Sequence, residues 1–122
     1  MPTDAVKGTM QLPQSSKIDN YIQKALIYIE HNYHKFISVN DIVMHVNLNR
    51  SYFTKIFKSK TGYSPQQFLL NVRIQKAMEL IEHSDMNFNE ICKQVGIREG
   101  HYFWRVFKQH TGVSPTEYKK HL

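Results

Sequence analysis

From residue 16 onward, apolar side chains recur every three or four positions. Ile18, Tyr21, Ile22, Ala25, Ile29 and Tyr33 fall on one side of a helix. No stretch alternates apolar and polar residues long enough for a strand. The breakers fall between helical stretches, so the pattern predicts an all-α protein. Residues 1–15 are polar, carry Pro2, Gly8 and Pro13, and have no period. They read as a flexible tail or linker remnant. A long amphipathic helix is expected over residues 65–83, with Phe68, Val72, Ala77, Leu80 and Ile81 on its apolar side.

The pattern repeats. Arg50–Phe68 reads RSYFTKIFKSKTGYSPQQF, and Gly100–Tyr118 reads GHYFWRVFKQHTGVSPTEY. Tyr, Phe, Phe, Lys, Thr, Gly, Ser and Pro coincide at an offset of 50, from Tyr52/Tyr102 to Ser64-Pro65/Ser114-Pro115. That is eight identities in nineteen positions, where average composition gives about one. The repeat continues upstream at an offset of 49, with Ser38/Asn87, Asp41/Glu90, Ile42/Ile91 and Val46/Val95. Ser38 and Asn87 are good N-caps, and each has an acid three residues on, as in a capping box. Asn47 and Gly96 tolerate the left-handed conformation that ends a helix. A second helix follows in each copy, over about Asn49–Lys60 and Glu99–His110, stopped by Gly62 and Gly112. Ser-Pro then restarts a helix both times. Short helix, tight turn and second helix make a helix-turn-helix, present twice. The boundaries follow: a first lobe over 16–64, a connecting helix over 65–83, and a second lobe over 84–122.

Helical spacing buries Phe53, Ile56 and Phe57 in copy one. It turns Arg50, Ser51, Thr54, Lys55 and Lys58 outward. From Arg50 to Lys60 there are four basic residues and no acid. In copy two, Phe103, Val106 and Phe107 face inward, and His101, Trp104, Arg105 and Lys108 face out. Glu99 dilutes the second basic face. A major groove admits one helix, and Arg, Lys, Ser and Thr bond base edges or phosphates. These faces therefore read as a pair of DNA-recognition helices. A 19-residue connecting helix spans roughly 28 Å, against about 34 Å between successive major grooves. One molecule can then reach two grooves. Both copies run in the same covalent order, so the expected site is asymmetric, and rigidly held readers require the DNA to bend.

Composition narrows the class. The chain has 122 residues and is 41% hydrophobic, enough for one small domain or two very small lobes with a real core. Its longest apolar run, Ala25–Ile29, is far short of a membrane span. The N-terminus has no apolar signal region, and Cys92 is the single cysteine. A cytoplasmic protein is the simplest expectation. Sixteen Lys and Arg against ten Asp and Glu give a net charge of +6, which favours polyanions such as double-stranded DNA. Membrane binding is not expected, because the face opposite the basic residues is needed for the core.

Individual residues have competing roles. Trp104 reads either as a contact to a thymine methyl or sugar, or as a ring folded onto its own lobe. His101 reads either as a base or phosphate contact, or as a plain surface histidine. Lys58 and Lys108 suit phosphates, and Lys60, Lys119 and Lys120 add positive field. Arg73 is expected in a structural ion pair on the connecting helix. His31 and His34 lie one turn apart but lack further metal ligands in a convincing pattern. Cys92, beside Ile91 and Val95, reads as an inert core thiol. No catalytic motif stands out, so no enzyme, metal or cofactor is expected. A protein-interaction module that has lost DNA binding is the alternative, but it would not need the acid-free Arg50–Lys60 helix.

These residues resemble the DNA-binding domain of the AraC/XylS family of bacterial transcription regulators, over about Lys17 to Tyr118. The resemblance rests on Ile91, Val95-Gly96, Tyr102-Phe103, Phe107-Lys108, Thr111-Gly112, Ser114-Pro115 and Tyr118. Arg73, Lys76, Ala77 and Leu80 match the family's connecting-helix pattern. Cys92 stands where a small alanine is usual, and Ile97 where an aromatic is usual. The resemblance implies seven helices, two helix-turn-helix lobes, action near a promoter, and contact or competition with RNA polymerase. It maps base contacts onto Ser51, Thr54 and Lys55, and onto His101, Trp104 and Arg105. Arg50 and Gly100 border the groove. It also implies that the second lobe contributes mainly backbone contacts in some members. Many members carry an effector-binding or dimerisation domain N-terminal to this one. The chain is expected to be either a short stand-alone member or, as the tail favours, a domain excised from a longer regulator.

Overall fold

The computed structural model describes the backbone of residues 12–122 and the side chains of residues 17–122. Within that span there are seven helices: α1 (Leu12–Asn32), α2 (Val39–Val46), α3 (Arg50–Thr61), α4 (Pro65–His83), α5 (Phe88–Gln94), α6 (Gly100–Thr111) and α7 (Pro115–Lys120). The tail expected over residues 1–15 falls outside the described residues up to residue 11. From Leu12 it is helical instead. Pro13 does not prevent this, because it sits in the first turn, where a backbone N–H has no helical partner to lose.

The caps form as the repeat predicts. Asn87 accepts from Glu90 N at 2.9 Å, and Glu90 accepts from Asn87 N at 3.0 Å. In the first copy, Asp41 accepts from Ser38 N at 2.8 Å. Asn47 closes α2 with φ of 60°. Ser64 and Ser114 cap α4 and α7, each followed by proline.

Each copy builds its own core. The first contains Ile22, Ala25, Ile29, Ile42, Val46, Phe53, Phe57 and Leu69. The second contains Ile74, Ala77, Ile81, Ile91, Val95, Phe103, Val106 and Phe107. Helix α4 feeds both. Phe68, Leu69 and Val72 serve the first core, and Ile74, Ala77 and Ile81 the second. This corrects the single apolar stripe expected from sequence. Leu69 and Ile74 are buried, whereas Phe68, Val72 and Leu80 are only half-buried. A helix wedged between two lobes must present apolar residues in more than one direction.

Arg73 is a second correction. Its guanidinium makes hydrogen bonds to backbone carbonyls rather than an ion pair. Nε donates to Tyr33 O at 2.9 Å, and Nη2 donates to Lys35 O at 2.8 Å. Burial pulls its pKa below the usual arginine value. Cys92 is buried, as expected. Its thiol donates to Ile97 O at 2.9 Å, and burial pushes its pKa up.

Candidate nucleic-acid interface

Helices α3 and α6 are each twelve residues long and start at equivalent points of the repeat. Phe53, Ile56 and Phe57 are buried on α3, as are Phe103, Val106 and Phe107 on α6. The tilted pairs Phe53–Phe57 and Phe103–Phe107 have centroids 5.4 and 5.7 Å apart. With these rings fixed inward, helical geometry directs the intervening residues out. Arg50, Ser51, Lys55 and Lys58 are exposed, and Thr54 is half-buried. Gly100, His101, Trp104, Arg105 and Lys108 are exposed as well. Every candidate residue thus lies on the outer side of its helix.

Their side chains differ in freedom. Arg50 Nη1 donates to Asn40 Oδ1, tying the start of α3 to α2. The guanidinium carbon of Arg105 lies 5.3 Å from the centroid of the Tyr102 ring, a cation–π distance. Trp104 rests edge-on against Phe88, centroids 5.6 Å apart, yet remains 39% exposed. The ring therefore folds partly onto its own lobe and still offers a face outward. A hollow of about 680 Å³ beside it is lined by Phe88, Asn89, Gly100, His101 and Phe103.

Sequence reasoning passed over Tyr102. It is exposed, carries Arg105 on its ring, and lines a cleft of about 530 Å³ with Arg50, Asn40, Gln66, Gln67 and Arg73. The signal was the Tyr52/Tyr102 identity inside an otherwise buried aromatic pattern. His31 and His34 are exposed. Among the described residues, no group of three or more His, Cys, Asp or Glu side chains is arranged to hold a metal ion. No helix there is long and apolar enough to cross a membrane.

Comparison with known proteins agrees with this fold. Residues 42–121 match the family described as a helix-turn-helix domain. The chain is 35% identical over 104 residues to the lactose operon transcription activator of Staphylococcus xylosus, covering 85% of this chain and 37% of that protein. It is 32% identical over 118 residues to an HTH-type transcriptional regulator encoded in the cgkA 5′ region of Pseudoalteromonas carrageenovora, covering 96% of this chain and 70% of that protein. The chain spans under two fifths of the length of the first three relatives, at 37, 39 and 38%. Among solved structures, the C-terminal domain of AraT, a response regulator from Geobacillus stearothermophilus, superposes with a TM-score of 0.81 at 27% identity, covering 84% of this chain and 85% of that one. The DNA-binding domain of AdpA, solved in complex with a target DNA, gives 0.77 at 27% identity, covering 81% and 89%. Two helix-turn-helix units, their duplicated outward faces and these relatives together show that the chain belongs to the AraC/XylS family of transcription regulators and carries its DNA-binding domain.

Proposed function

We propose that this domain reads an asymmetric promoter site by laying α3 and α6 in two adjacent major grooves of one duplex. The observation that carries the reading is the pair of equivalent helices with phenylalanines locked inward and Arg50, Lys55 and Lys58, or Arg105 and Lys108, among the residues turned outward. Helix α4, 19 residues long, spans about 28 Å, which suits readers one turn of DNA apart. Ser51, Thr54 and Lys55 take the base edges in the first groove, with Arg50 and Lys58 on the flanking backbone. His101, Trp104 and Arg105 face the second groove, with Gly100 at its border and Lys108 on phosphate. The second reader is the weaker one, because Arg105 is engaged by Tyr102 and Trp104 by Phe88. The parent regulator acts in the bacterial cytoplasm at the nucleoid, contacts RNA polymerase, and carries an effector or dimerisation domain beyond this chain. The share of its relatives' length that the chain spans supports that last point.

Selection from a random DNA pool at two salt concentrations tests the reading. Two enriched blocks about one helical turn apart are expected, with affinity that falls as salt rises. Uniform, salt-labile binding with no enriched block would reduce the domain to a basic surface and favour a protein-interaction module.

A further inference from the structure

The two lobes have separate buried cores, yet several groups of α4 and the second lobe converge on one short segment of the first. That segment is the end of α1 and the loop after it, residues 30–37. The Arg73 fork reaches the carbonyls of Tyr33, Lys35 and, at 3.4 Å, Ile37. Gly96, in the turn of the second helix-turn-helix, presses on the same loop. A Cβ there would stand 2.3 Å from Tyr33 O and 2.9 Å from Lys35 O. Two of the carbonyl oxygens that hold Arg73 are thus the ones that only a glycine can approach this closely. The Arg98 guanidinium carbon lies 4.3 Å from the centroid of the Phe36 ring. Lys76 Nζ is 3.5 Å from Glu30 Oε2 and 5.7 Å from the Tyr33 ring centroid.

We propose that Arg73 and Gly96, closed on the carbonyls of Tyr33 and Lys35, form a joint that fixes the separation and angle of α3 and α6, and so selects the spacing between the two half-sites. This rests on the bipartite reading of DNA. These are positioning residues, since the joint acts through the lobes it clamps. Helix α4 packs into both cores, and the contacts of Gly96 and Arg98 with the 30–37 loop add a second tie between the lobes, away from the α4 axis. The first lobe is rooted in α1–α3. The second is held to it through α4 and this loop. A planar fork donating to three carbonyls resists rotation about α4 in a way that one point charge does not. Sequence-specific affinity from two linked readers depends on simultaneous engagement, and it is lost when the geometry forbids it. A stiff joint turns that dependence into a preference for one spacing.

Two measurements on the folded protein test the joint. The first needs no DNA. Spin labels at Ser59→Cys and Gln109→Cys, exposed and equivalent positions on α3 and α6, report the distance distribution between the readers, with buried Cys92 left unlabelled. The second uses the selected bipartite site with one or two base pairs added to or removed from the spacer, alongside a duplex carrying a single block. The parent protein should give a narrow distance distribution and lose about a hundredfold in affinity on the wrong spacer, the lower end of what linked readers gain. Arg73→Lys keeps the charge but not the fork. It should broaden the distribution and cut the spacer penalty below about tenfold, with single-block binding unchanged. Phe36→Ala alters a side chain that is 51% exposed, so it should shift both readouts the same way, more weakly, without unfolding the domain. A distribution as narrow and a spacer penalty as steep in Arg73→Lys as in the parent would overturn the joint. A random pool that yields no second block would overturn the bipartite reading, and the spin-label distances would still decide the joint.

Discussion

Lys55 and Arg105 occupy the same position of the repeat but stand in different surroundings. Lys55 is exposed on α3, whereas Arg105 lies beside the Tyr102 ring. Lys55→Ala is expected to weaken binding to the selected site by about 1–3 kcal/mol, the range for a side chain on a guanine edge. Equal weakening on random DNA, measured by gel shift, would reduce Lys55 to a phosphate contact. Cys92 makes a contrasting residue-scale case. Its thiol is buried, bonded to Ile97 O, and shifted up in pKa, so little of it is thiolate. A thiol reagent should leave it untouched in the native protein and titrate it fully in denaturant. Rapid modification in native buffer would contradict the inward placement. The burial of Cys92 was legible from its neighbours Ile91 and Val95. The role of Arg73 was not, because its acceptors are backbone carbonyls some forty residues away. Carbonyls carry no sequence signature.

Helices start and stop here for local reasons, and that makes their boundaries readable. Asn87 and Glu90 satisfy each other's backbone N–H groups at the start of α5. Asn87→Ala should cost about 1 kcal/mol in thermal or denaturant unfolding. The glycines separate a local requirement from a tertiary one. Gly112 ends α6 with φ of 87°, and nothing lies within 4 Å of where a Cβ would be. Gly112→Ala should therefore cost only the left-handed backbone term, about 1–2 kcal/mol. Gly96 has nearly the same φ, 86°, but its Cβ would meet the Tyr33 carbonyl at 2.3 Å. Gly96→Ala should destabilise clearly more than Gly112→Ala in the same melt, and equal losses would mean the loop yields freely. Sequence marks both glycines alike, as helix stops. Where sequence reading failed at this scale was α4, whose apolar residues serve two cores on different sides and so defeat the search for one stripe.

At the scale of the whole molecule, two small cores share α4 and meet again at the loop of residues 30–37. Phe57 and Phe107 are both fully buried, one at the centre of each core. Replacing either with Ala should cost about 3–5 kcal/mol. Such a loss is a large part of the total stability of a small domain. Unchanged melting would mean that the buried and exposed faces are reversed. Because Phe57 and Phe107 sit in different cores, their losses should also nearly add in the double variant. Strong non-additivity in denaturant titration would show that the lobes are coupled energetically, through the shared α4 or the loop contact.

The amino-acid sequence by itself determined the helices, the duplication and the two outward faces. Periodicity, caps, turn residues and charge are properties of neighbours within one or two turns, and a repeat exposes them twice. Only the tertiary structure decided how the two copies meet. The helical start at Leu12, the two-sided packing of α4 and the clamp of Arg73 and Gly96 on the Tyr33–Lys35 carbonyls came from the fold. Except at Leu12, each depends on groups far apart in the chain, and the clamp acts through backbone carbonyls that no residue pattern announces. The two outward faces are therefore written locally, and the angle between them is set by the fold.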